Sequence, residues 1–142
     1  MKDVPILRRV IDQLTTHHLG TRRDPDELAS AAVGMCETLL KILSPLLGNA
    51  GGRALLRRCL NLTEEMFPCY REARRVENDA LLNAVDACLR QQKLEVAREA
   101  SVALLTAFIE LLATFIGERL TWQLLQEAWP DALIIPSEET HQ

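Results

Sequence analysis

Aromatic residues are scarce in this chain of 142 residues: two Trp, one Tyr and three Phe make up 4%. A core must therefore come mostly from Leu, Ile, Val and Ala. Gly and Pro number only 6 each, too few for a disordered or fibrous chain. Lys is rarer still, 3 residues against 13 Arg, a bias that points to a GC-rich bacterial genome rather than to a chemistry. A basic excess is missing as well. The net charge is -4, which argues against a general DNA or RNA binder. The four cysteines, Cys36, Cys59, Cys69 and Cys88, form no CxxC pair, and free thiols are expected of them in a cytosolic protein. The opening MKDVPILRRVIDQ has neither an apolar h-region nor a small-residue cleavage site, so the expected address is the cytoplasm.

What is present is helical periodicity. Leu7, Val10, Ile11 and Leu14 make an i, i+3, i+4, i+7 stripe that predicts a first helix over Val4–His18. Asp24-Pro25-Asp26-Glu27 is a start signal: an Asp cap, Pro at the first helical position and Glu three residues after the cap. The second helix then carries Leu28, Ala32, Met35, Leu39, Ile42, Leu43 and Leu46. Pro45 cannot donate to the Lys41 carbonyl and should bend it, and GNAGG should break it. A third helix is expected over Arg53–Met66 with Leu56, Cys59, Leu60 and Met66 inward, and Pro68 ends it. The charged stretch CYREARRVEND reads as loop or one exposed turn. A fourth helix starts near Asn78 or Asp79 and uses Leu81, Leu82, Val85, Cys88 and Leu89.

The fifth helix, ASVALLTAFIELLATFIG, carries one charge, Glu110, and one polar strip, Thr106, Glu110 and Thr114. A helix apolar nearly all round is central to a bundle. Its 18 residues lie at the short limit for a bilayer and a mid-span carboxylate is costly there, so no membrane span is expected. The sixth helix lies in GERLTWQLLQEAWPD, where Trp122 and Trp129 fall on nearly one side and Pro130 stops it. Leu120, Leu124 and Ala128 form one apolar line, and Trp122, Leu125 and Trp129 the next. Leu133 to Ile135 should dock as a strap, and residues 137–142 form a flexible tail after a helical domain over residues 1–136. One pattern occurs twice: long helix, glycine, short helix, aromatic, proline. It reads as two three-helix halves about a pseudo-twofold, or as amphipathic helices that fall into phase.

Chemistry is harder to find. The single Glu-x-x-His, Glu138 to His141, sits in the tail, and adjacent His17 and His18 point in different directions, which suits a helix C-cap rather than a metal site. GNAGGR lacks the spacing of a phosphate loop. Cys69 is the cysteine expected to be exposed. Arg53, Arg57, Arg58, Arg71, Arg74 and Arg75 form one basic concentration, diluted by Glu64, Glu65 and Glu72, that would suit an acidic protein partner.

No catalytic set, metal or cofactor is expected. The fold class is all-α, a single-domain bundle of five to seven helices. The expected function is a non-enzymatic interaction or regulatory domain working through helix–helix contacts, as a homodimer or with a heterologous partner. The expected interface is Trp122, Trp129, Leu125 and Glu110, with Trp122 as the anchor because it lies at the margin of its apolar face, while Trp129 closes the chain's own core. The alternatives are a sensor of a small apolar ligand bound between helices, with Thr106, Glu110 or an arginine as polar handle, and a transcriptional regulator acting through the arginines.

Overall fold

The computed structural model describes residues 4–130, with side chains from Leu7 onward. It is an all-α bundle: α1 Val4–Leu19, α2 Pro25–Thr63, α3 Cys69–Ala73, α4 Leu81–Arg90, α5 Leu94–Ile116 and α6 Glu118–Ala128, with a 3-10 turn over Asn78–Ala80 before α4. No strand occurs among the described residues. The expected strap and tail lie outside them.

Local sequence explains the helix ends. Asp24 Oδ1 accepts from the Glu27 amide at 2.9 Å and caps α2, while Glu27 Oε1 accepts from the amide of Arg23, one residue before the cap, at 3.2 Å. At the end of α1, the Arg22 Nε donates to the His18 carbonyl at 2.9 Å. The capping cation is thus Arg22, and the His18 ring turns to the edge of Trp129, 5.7 Å away between centroids.

The long α2 is two arms joined at Gly48, whose φ of 78° and ψ of 165° leave the helical region. The break is this one residue. Asn49 to Gly52 are already helical, so the second arm starts before Arg53 and ends at Thr63, short of Met66, which is 76% exposed rather than inward. The arms fold back on each other: a Cβ on Gly52 would meet Leu40 Cδ2 at 3.0 Å, whereas twelve residues of straight helix would separate them by about 18 Å. Gly117, with φ 91° and ψ 154°, makes the same turn between α5 and α6. These are the two positive-φ residues of the described chain.

Burial follows the same repeat. Leu28, Ala32, Met35, Cys36, Leu39, Leu40 and Leu43 are buried before Gly48. At the same distances before Gly117, Ala97, Ser101, Leu104, Leu105, Phe108, Ile109 and Leu112 are buried. After the hinges, Gly52 and Leu56 answer to Thr121 and Leu125. The leading helices also correspond, Leu7, Ile11 and Leu14 of α1 to Leu81, Val85 and Cys88 of α4. α4 packs mainly on α2, the other half's central helix, while α1 packs on both α5 and α2. The first arm of α2 and α5 both have the length and composition of a bilayer span. In this bundle they are the central pair, and Leu39, Leu43, Phe108 and Leu112 are fully buried.

One expectation about the cysteines is corrected. Cys69 and Cys88 are not free thiols but a disulfide, with Cα atoms 5.7 Å apart. The cause is the short α3, which the charged stretch contains and which folds against α4. Tyr70 drives that docking. It is fully buried, and its hydroxyl donates to the Ala100 carbonyl at 2.7 Å. Cys36 and Cys59 are free and buried.

Candidate functional site

Of the large apolar side chains left exposed, Leu46, Phe115 and Leu120 flank the two hinges, whereas Leu62, Met66 and Val96 lie away from them. Leu47 and Phe115, each just before a hinge, line one groove of about 330 Å³. Gly51, Ala54 and Leu55 form its α2 wall and Leu111 its α5 wall. Arg58 is the one charged side chain lining it. The groove exists because Gly51 has no side chain; the equivalent position after Gly117 is Leu120, which is 37% exposed. Phe115 is 64% exposed beside this groove, and Leu46, its equivalent before Gly48, is 49% exposed.

The residues expected at an interface are distributed otherwise. Leu125 is fully buried in the chain's own core and is not available to a partner. Trp122 and Trp129 are both half-buried against that core. Glu110 pairs with Arg8 of the same chain at 2.7 Å, with both side chains near half exposed, so it has an arginine partner without a second molecule. The buried face of α6 centres on Thr121 and Leu125. Leu120 therefore points outward, rotated away from the expected apolar line. Thr121 is tolerated inside because its hydroxyl donates to the Gly117 carbonyl at 2.8 Å.

Most of the arginine concentration is engaged by groups of the same chain. Arg57 donates to the Arg74 carbonyl, to the Val76 carbonyl at 2.7 Å and to Asn78 Oδ1 at 2.6 Å. Arg53 donates to the Asn78 carbonyl at 3.1 Å. Arg74 and Arg71 both pair with Glu64, and that hydrogen bond from Arg74 holds the Glu64 carboxyl below the usual range. Arg75 sits 3.8 Å from Glu72. These side chains clasp the irregular stretch between α2 and α4, a role that spacing in the sequence does not reveal. Arg58, Arg71 and Arg75 are exposed, and of these Arg58 faces the groove.

Nucleophiles fare no better. Burial pushes both free thiols, Cys36 and Cys59, up to about 12, so neither is a thiolate near neutral pH. Among the described residues, no three His, Cys, Asp or Glu side chains gather as a metal site would require.

Two polar clefts occupy corresponding places, where each leading helix crosses the other half's hinge. Beside Gly117, about 270 Å³ is lined by Leu7, Arg8, Glu110, Ala113, Thr114 and Glu118. Beside Gly48, Leu82, Lys41, Ser44, Pro45 and Asn49 stand where Arg8, Glu110, Ala113, Thr114 and Glu118 stand in the other, and the space is about 560 Å³.

No family model, curated protein or solved structure matches this chain.

Proposed function

We propose that the chain is a non-enzymatic helical interaction module that self-associates through its hinge end. The observation that carries this reading is Phe115, 64% exposed at the rim of the groove that it lines with Leu47, Gly51, Ala54, Leu55 and Leu111. One patch holds both a knob and a hollow. A patch of that kind is self-complementary: under twofold symmetry each Phe115 seats in the other copy's groove, and the same contact is made twice. Arg58 then lies against the incoming ring, a favourable cation–π arrangement. No carboxylate lines the groove to be desolvated by the contact.

A cytoplasmic address remains part of the proposal on the sequence reading. The Cys69–Cys88 disulfide is the feature that pulls away from it, because such bonds persist mainly in oxidising compartments.

The test is molar mass by light scattering over a dilution series, on the wild type, on Phe115→Glu and on Ala54→Arg, which obstructs the hollow from an exposed position. A wild-type dimer that either substitution converts to a folded monomer supports the reading. A wild type that stays monomeric at the highest concentration overturns it, as does a dimer that both substitutions leave intact.

A further inference from the structure

We infer that the cleft beside Gly48 is a binding site for a small organic anion, a carboxylate or phosphate monoester carried on an apolar body. Two corresponding places in the chain differ. Beside Gly117, Arg8 and Glu110 close the cleft with an ion pair of 2.7 Å, and their charges cancel. Beside Gly48, Leu82 replaces Arg8 and Lys41 replaces Glu110. Neither half of the closing pair is present. The cleft is about twice as large, and Lys41 makes no hydrogen bond or ion pair among the described residues.

The remaining walls define the ligand. Arg53 uses its Nε on the Asn78 carbonyl, which leaves its terminal nitrogens as donors beside Lys41. Ser44 Oγ bonds Asn49 Oδ1 at 3.1 Å, so the Asn49 amide nitrogen also remains to donate. Against these donors stands one carboxylate, Glu37. The charge balance favours one anionic group and disfavours a second. Leu40, Pro45 and Leu82 supply an apolar wall for the rest of the molecule. A space of this size falls in the usual range for small-ligand sites.

The full chain should be titrated with phenyl phosphate and, separately, with hexanoate, followed by backbone amide resonances, with sodium chloride of equal ionic strength as control. Saturable shifts confined to Lys41, Ser44, Asn49 and Arg53 are expected from at least one probe, and the probe that acts identifies the head group. Lys41→Glu, at an exposed position, should weaken binding by about tenfold, the worth of one charge-assisted contact. Adding Leu82→Arg to it restores the ion-pair pattern of the other cleft and should abolish binding while leaving the melting temperature near that of the wild type. Shifts scattered over both clefts, equal shifts from chloride, no shifts, or undiminished binding by Lys41→Glu would each overturn the assignment. None of these outcomes depends on self-association at the hinge end.

Discussion

Leu40 lies on Gly52: its Cδ2 atom is 3.0 Å from where a Cβ would stand on that glycine. This contact presses the second arm of α2 against the first. Gly52→Ala should change stability little, because the mobile end of Leu40 gives way and alanine favours the helix by about 1 kcal/mol. Gly52→Val cannot be absorbed and should cost about 1–3 kcal/mol by overpacking. Urea unfolding of the two variants checks this, and equal losses would mean that the arms can separate.

The two hinges should behave alike. Gly48 and Gly117 occupy a region of positive φ and extended ψ that side chains avoid, at a cost of about 1–3 kcal/mol. Gly48→Ala and Gly117→Ala should each lose that much, although open space surrounds both positions. Gly34→Ala, at a helical glycine with open space around it, should gain rather than lose. Thermal unfolding of the three variants separates backbone strain from crowding.

Arg57 binds two carbonyls and an amide oxygen in the stretch after α2. Arg57→Ala should cost about 2–3 kcal/mol, since hydrogen bonds to a charged donor are lost and partly buried carbonyls are left unpaired. Arg57→Lys should recover little of it, because an ammonium lacks the fork that reaches three acceptors. Hydrogen exchange at Arg74 to Asn78 would rise in both variants. Unchanged exchange would return Arg57 to the pool of surface cations.

The Cys69–Cys88 bond closes a loop over a sequence separation of 19. Its removal should cost about 3 kcal/mol through the freedom returned to the unfolded chain. Cys69→Ser with Cys88→Ser, and reduction of the wild type, should lower the urea midpoint equally. A thiol reagent on the oxidised protein should label nothing until unfolding exposes Cys36 and Cys59. Two reactive thiols in the oxidised fold would contradict the pairing.

His18 gives the fold a pH dependence. Burial first, then the charges of His17 and Arg22, hold its imidazole below its ordinary value of 6.5. The unfolded chain therefore takes up a proton that the folded chain declines. Stability is full above about pH 6.5, falls as the pH drops through that value, and levels off below the folded-state pKa. Urea midpoints from about pH 8 down to pH 5 should show this slope, and His18→Gln should flatten it. A slope that survives the substitution would assign it to another group.

Much of the fold was legible in the order of residues. The stripe Leu7, Val10, Ile11 and Leu14 has a period that only a helix satisfies with one buried face, and all four are buried. The Asp24 cap, the break in GNAGG and the stop at Pro130 rest on the chemistry of single residues, so they too could be read locally. The twofold recurrence of helix, glycine and helix was visible as a pattern, and positive φ at both Gly48 and Gly117 gives it a backbone basis. What the tertiary structure decided depends on distance through space. Whether Cys69 meets Cys88, whether Arg57 faces solvent or a carbonyl, and whether Leu125 or Phe115 is left outside follow from how two hinges aim four helical arms. On α6 packing buries Thr121 and Leu125 and leaves Leu120 outside. Periodicity identifies which residues share a face; only packing determines which face is covered and which stays open to a partner.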